Sequence, residues 1–282
     1  MNLNDRALLV QLNISQWTAR KYDKKATKQV ADDNRVDINV GRYNKSLLPM
    51  NDQLELIHRK SNQIRSEFYD NTLPWGIEGT QLLPTSNYLE FMTRFRKYKN
   101  EWSHLVTVFT TNYADYIDDA KRTLGPMFNI DDYPRAENID TKFKMDLAVF
   151  PVPSNDFRVQ IASEELSRIQ QDVEKRVQEA SASAMKDVWQ RLYDKVKHIE
   201  ERLANPAAVF RDTMLENARE LCAMLPRLNF ADDPTLEAMR QEVEQKLVSF
   251  HPDALRNDPD LRQDTAAKAK EIMDRMAVFM GQ

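Results

Sequence analysis

Residues 163–204 read SEELSRIQ QDVEKRVQEA SASAMKDVWQ RLYDKVKHIE ERLA. Ser163 is placed to cap a helix, and Glu164 and Glu165 suit the partial positive charge of a first turn. Apolar residues follow at Leu166, Ile169, Val173, Val177, Ala180, Ala184, Val188, Leu192, Val196, Ile199 and Leu203. Their mean spacing is about 3.7, against the roughly 3.5 of a left-handed coiled coil. The stretch therefore predicts one nearly straight or slightly right-handed helix. Some 40 residues at 1.5 Å each span about 60 Å. That length predicts a projecting arm or a spine shared between subunits. The Ala-Ser-Ala-Ser-Ala run at 180–184 permits close backbone approach before Trp189 and Tyr193. Glu164–Arg168, Asp172–Arg176, Lys175–Glu179 and Lys197–Glu201 sit four apart and can pair on the wet faces. A stripe this long predicts a homo-oligomer. The alternative is that C-terminal helices fold back over it within one chain.

Those helices announce themselves by punctuation. Asn205-Pro206, Asp233-Pro234 and Asp258-Pro259 each set a capping residue before a proline at the first helical position. They predict helices over about 206–225, 234–249 and 259–280.

Toward the N-terminus the period changes. Leu8, Val10, Leu12 and Ile14 alternate, so residues 7–18 predict a strand; Val36, Ile38 and Val40, closed by Gly41, predict a second. The polar stretch between them reads as a helix or a loop. Residues 51–70 have helical spacing at Leu54, Ile57, Ile64 and Phe68. From about Ser86 to Leu124 runs one long helical segment, with Phe91, Phe95, Trp102, Phe109 and Tyr113 on its apolar face. Phe143, Met145, Leu147 and Val149 alternate again; Pro151 and Pro153 interrupt, and Phe157, Val159 and Ile161 resume the run. Prolines favour an edge or bent hairpin there, pairing with strand 7–18.

Composition excludes several classes of chemistry. Of 282 residues, 40 are Lys or Arg and 44 are Asp or Glu, a net charge of -4; five are Gly and one is Cys. One cysteine, Cys222, allows no internal disulfide and no thiolate metal cluster. No glycine-rich phosphate loop follows a strand, and Gly76-Ile77-Glu78-Gly79 lacks the Lys that such a loop needs. No Gly-x-Ser-x-Gly elbow occurs. His58, His104, His198 and His251 have no i, i+4 partner of the zinc-protease kind. Asp115, Asp118 and Asp119 read as a solvated face beside Arg122 rather than a cation site. The expectation is no enzyme, no metal and no cofactor. No apolar run approaches a membrane span and Met1–Asp5 does not resemble a signal peptide, so the expected compartment is the cytoplasm.

Charge is uneven. Residues 1–60 hold 11 Lys or Arg against 7 Asp or Glu, whereas residues 201–282 hold 11 against 15. Arg20, Lys21, Lys24, Lys25 and Lys28 form a basic run beside Trp17 and Tyr22, and Arg42 with Tyr43 can extend it. Arg94, Lys97 and Lys99 interleave with Phe95, Tyr98 and Trp102. Cations for phosphates and flat rings for bases are what single-strand binding requires. Phe91, Phe95 and Trp102 also match the apolar stripe, which makes them core, so Trp17 and Tyr22 are the candidates for stacking.

Gly41-Arg42-Tyr43-Asn44-Lys45-Ser46-Leu47-Leu48-Pro49, Leu73-Pro74-Trp75, Leu82-Leu83-Pro84-Thr85-Ser86-Asn87-Tyr88, Phe150-Pro151-Val152-Pro153 and Asp156-Phe157-Arg158-Val159 together resemble an uncharacterised family of tailed-bacteriophage and prophage proteins. The resemblance covers about residues 1–205. Genes of that family tend to lie near those of MoxR-type AAA+ ATPases and von Willebrand A-like proteins. It has no assigned catalytic residues to carry over. The resemblance implies a phage product in an infected bacterium, acting in genome replication or as an adaptor for an ATPase.

The expected architecture is α+β: long helices with a small N-terminal sheet and a C-terminal helical region. The expected divisions are a mixed domain over 1–162, the long helix over 163–204 and helices over 205–282. The expected function is nonspecific single-stranded DNA binding, and the alternative is an oligomeric helical adaptor working with an ATPase or another phage protein. The expected interface comprises Trp17, Arg20, Lys21, Tyr22, Lys24, Lys25, Lys28, Arg42, Arg94, Lys97 and Lys99.

Overall fold

The computed structural model describes residues 3–154 and 163–280. The fold is mixed α+β, mostly helical, with a small sheet and long C-terminal helices. The strands are β1 (Ala7–Ser15), β2 (Arg20–Tyr22), β3 (Asn44–Ser46), β4 (Leu73–Pro74), β5 (Thr80–Pro84) and β6 (Lys144–Pro151). The main helices are α1 (Lys24–Asn34), α2 (Asp52–Asn71), α3 (Thr85–Thr111), α4 (Tyr113–Leu124), α5 (Ser163–Ala204), α6 (Thr213–Leu228), α7 (Pro234–Lys246), α8 (Pro252–Asn257) and α9 (Pro259–Met280). One sheet has the order β4-β5-β1-β6, and β2 pairs with β3 separately. No described helix is long and apolar enough to cross a membrane.

The chain forms two compact units. Unit 1 comprises Met1–Gln11, Phe68–Met92 and Ala148–Gln282; unit 2 comprises Leu12–Glu67 and Thr93–Leu147.

In unit 1, the second half of the α5 stripe is core. Ala184, Val188, Leu192, Val196, Ile199 and Leu203 are buried, with Ala269, Ile272 and Met276 of α9 in the same cluster. Each buried Val, Leu, Ile or Met side chain among them stabilises the fold by about 1.5–3 kcal/mol, and each Ala by less. The first half differs: Leu166, Ile169, Val173, Val177 and Ala180 are only half-buried. All four expected i, i+4 pairs form on α5, from 2.8 Å for Asp172–Arg176 to 4.0 Å for Lys197–Glu201.

Arginines of unit 1 fasten helix ends. Arg262 donates to the carbonyls of Arg202, Leu203, Asn205 and Ala208, at 2.6–3.0 Å. Arg191 donates to Tyr69, Asp70 and Thr72, at the end of α2. Arg219 donates to Val248 and Phe250. The bonds to Tyr69, Asp70, Arg202 and Leu203 satisfy last-turn carbonyls that α2 and α5 leave without partners, and the others hold the loops that follow helices.

In unit 2, α2, α3 and α4 enclose an aromatic core. Phe109 meets Phe143 and Tyr116 with centroids 5.5 Å apart, and Trp102 donates its indole N–H to Ser61 Oγ at 2.8 Å. Phe95 and Trp102 are thus core residues, as their spacing predicts.

Several sequence expectations are corrected. Ile38–Val40 is a 3₁₀ turn rather than a strand, and all three apolar residues of the alternation are exposed. Asp37 caps that turn through Asn39 N–H at 2.8 Å, which overrides the alternation. The segment from Ser86 to Leu124 breaks at Asn112, whose side-chain amide takes the Val108 carbonyl at 2.8 Å. Asn205-Pro206 opens a turn instead of a helix, because Asn205 Oδ1 accepts from Ala207 N–H and Arg262 holds the loop; α6 begins at Thr213. In β1 the buried residues are Ala7, Leu9 and Val10, so both faces are covered near its start. This strand lies inside the sheet, between β5 and β6. Phe157, Val159 and Ile161 lie outside the described residues.

Candidate nucleic-acid interface

All eleven expected interface residues fall in unit 2. That unit carries 20 Lys and Arg against 16 Asp and Glu, a net of +4. Unit 1 carries 20 against 28, a net of -8. Charge therefore follows the fold units.

The ribbon of β2 and β3 displays the basic run. Its register pairs Arg20 with Ser46, Lys21 with Lys45 and Tyr22 with Asn44. Arg20, Lys21 and Tyr22 are exposed. Two lysines opposite each other repel. Asp132 offsets this, lying 2.8 Å from Lys45 Nζ and 3.9 Å from Lys21 Nζ. Lys45 itself is buried, donating to Met127 O at 2.7 Å and standing 3.6 Å from Asp23.

Asp23 caps α1 by accepting from Ala26 N–H at 2.9 Å. That bond first, and the charge of Lys45 after it, hold its carboxyl below the usual carboxylate range. Lys24 and Lys25 occupy the first turn, with Lys28 one turn on, all exposed. Cations at a helix start oppose the macrodipole, and an anion bound there relieves both. Among the described residues, no carboxylate lies within ion-pair distance of Arg20, Lys24, Lys25, Lys28 or Arg42. Arg42 instead lies over the Tyr22 ring, 6.0 Å from its centroid.

Beside the ribbon runs a groove of about 520 Å³. Arg20, Lys21 and Trp17 line one side, and Arg135 and Lys142 come from the turn-rich segment 130–142. Asp131 and Asp132 also line it. Arg135 and Lys142 are exposed cations that linear reading missed. The available signal was Pro134-Arg135, a cation in a stretch with no helical period to make it a wet face.

Trp17 is half-buried. Its indole meets Tyr113 edge-on at 5.8 Å and Phe109 at 6.4 Å, and its carbonyl accepts from His58 Nε2 at 2.9 Å. It forms a wall of the groove, and Tyr22 presents the more exposed ring.

Arg94, Lys97 and Lys99 stand apart on α3. Lys99 precedes Phe109 by ten residues, about 15 Å along a helix. Arg94 pairs with Glu67 at 3.2 Å, and nearby Lys60 pairs with Glu101 at 2.6 Å. One groove thus holds Trp17, Arg20 and Lys21 with Arg135 and Lys142, while Lys24, Lys25, Lys28, Arg42 and the α3 cations are not part of its lining.

Other chemistry is sparse. Burial pushes the Cys222 thiol up to about 11, where little thiolate exists at neutral pH. Among the described residues, no three His, Cys, Asp or Glu side chains converge as a metal site. Comparisons with protein-family models, with curated proteins and with solved structures find no match for the chain.

Proposed function

We propose that this protein binds single-stranded nucleic acid, DNA foremost, without sequence preference, through the basic face of unit 2. One observation carries the reading. Cations from two separate stretches, Arg20 with Lys21 and Arg135 with Lys142, line one groove, and Lys24, Lys25 and Lys28 are exposed on α1, which directly follows the ribbon strand β2. Most of them have no carboxylate within ion-pair distance among the described residues, whereas in unit 1 Arg191, Arg219 and Arg262 are taken up by backbone carbonyls and Arg168, Arg176 and Arg240 by carboxylates. Phosphates neutralise such a surface, and Tyr22 offers a ring to a base. In the phage setting that the resemblance implies, the strand is an exposed intermediate of genome replication in the host cytoplasm.

The test is fluorescence anisotropy with labelled single strands and duplex DNA at about 50 and 200 mM salt. Salt-dependent binding that favours single strands is the expected result. Replacing Lys24 and Lys25 by Glu weakens it for all sequences alike. No binding at the lower salt overturns the reading.

A second reading rests on the half-buried α5 residues Leu166, Ile169, Val173 and Val177. They offer a stripe to a partner helix or a second copy, as an oligomeric adaptor requires. Light scattering across protein concentrations checks it, and a constant mass of 33.0 kDa removes the homo-oligomer.

A further inference from the structure

The Val36–Val40 alternation that fails to form a strand leaves a feature the phosphate contacts do not use. Val30, Val36, Ile38, Val40 and Tyr43 are all exposed, between 37% and 72%. They line one groove of about 450 Å³, bounded by α1 on one side and residues 36–43 on the other. Apolar side chains left open to water side by side form a surface that a ligand can cover.

The groove is held in shape. Tyr43 N–H donates to Thr27 Oγ1 at 3.0 Å, Thr27 Oγ1 donates to Asp23 O at 2.8 Å, and Asp23 N–H donates to Tyr43 O at 2.9 Å. Arg35 closes α1 in a left-handed conformation, φ 55°, and Val36 N–H returns to Ala31 O at 3.0 Å. The walls are therefore fixed before any ligand arrives.

Charge names the occupant. Lys24 and Lys28 lie three residues before Thr27 and Ala31, which line the groove, so they flank it on the same helix. Arg42 and Asp37 both line it; the Asp37 carboxylate accepts from Asn39 N–H at 2.8 Å, and Arg42 reaches back over Tyr22. An apolar slot beside a ring, with cations along its edge, matches a base and its phosphates.

We propose that this groove takes an unstacked nucleobase of the bound strand, with Tyr43 as its stacking platform and Val36 and Val40 as its floor. This rests on the single-strand reading above and deepens it. The base contributes apolar contact and the strand's phosphates meet Lys24, Lys28 and Arg42. Recognition is of a flat ring, so it does not select sequence.

The experiment compares an oligothymidine with an abasic, tetrahydrofuran-spaced oligonucleotide of equal length. The variants are Tyr43→Ala and the double change Val36→Ser with Val40→Ser, both at exposed side chains, with thermal melting as the check on folding. Each variant is expected to weaken oligothymidine binding about fivefold or more, the low end of one base stack. Abasic binding changes less than about twofold if only the stack is lost. If both oligonucleotides weaken equally, or neither weakens, the base slot is overturned. The double change Lys24→Glu with Lys25→Glu separates the two failures. Loss of binding there, with no effect at Tyr43, Val36 and Val40, keeps the strand reading and sinks the slot. No effect in either set sinks both, and an acidic apolar peptide that competes for the groove assigns it to a protein partner instead.

Discussion

Lys45 Nζ lies 2.8 Å from Asp132 Oδ2, with side chains only 8% and 13% exposed. The same nitrogen reaches the Met127 carbonyl, so one lysine ties β3 to the turns that follow α4. Removing one member of such a buried pair strands the other charge. Lys45→Met is expected to lower unit stability by about 3 kcal/mol. Urea unfolding followed by tryptophan fluorescence measures it, and a midpoint like that of the wild type would show the pair to be dispensable.

The cap of α1 gives a pH dependence. The Asp23 carboxyl titrates below its ordinary value of 3.8 because it accepts from Ala26 N–H. A lowered folded pKa contributes stability that is present above 3.8 and is lost as pH falls through the folded value. Hydrogen exchange at Ala26 is expected to accelerate below that pH more than its intrinsic rate dictates. Asp23→Ala removes the cap at any pH, at a cost of about 1 kcal/mol.

Arg135 and Lys142 test the groove apart from the basic run. Changing both to Glu is expected to weaken single-strand binding. The slope of log affinity against log salt should fall by about 1.4, from roughly 0.7 per phosphate contact. Salt titration of the anisotropy reads the slope. An unchanged slope confines the strand to Arg20–Lys28.

Arg262 donates to four carbonyls around the end of α5 and lies over the Phe210 ring, 5.5 Å from its centroid. Arg262→Met keeps the aliphatic stem and leaves those carbonyls without their donor. A loss of about 2–3 kcal/mol is expected, typical of hydrogen bonds to a charged group. Calorimetric unfolding checks it. Since Arg262 belongs to unit 1, oligonucleotide affinity at a temperature where the variant is folded should not move.

Helical features were legible because a 3.6-residue period reports burial directly. The α5 stripe and the prolines that open α7 and α9 place those helices to within a few residues. Residues 36–40 misled for the converse reason: a two-residue alternation implies a strand only if one face is buried, and here Val36, Ile38 and Val40 face water. Trp17 adjoins a polar stretch in sequence, but its indole packs against Tyr113, a contact between residues 96 positions apart. Arg135 and Lys142 join Arg20 only through the fold, so no local pattern could assign them to one groove. The pairing of Arg94 with Glu67 is likewise invisible along the chain.

The chain passes from unit 1 to unit 2 and back twice, within β1, α2, α3 and β6. A single recombination event between two related genes exchanges everything on one side of one point. No such point separates these units, so every simple exchange splits at least one core between two parents. The basic face of unit 2 is thus interleaved in sequence with unit 1, and point substitution at exposed positions such as Lys24, Arg135 and Val40 changes it without splitting either core.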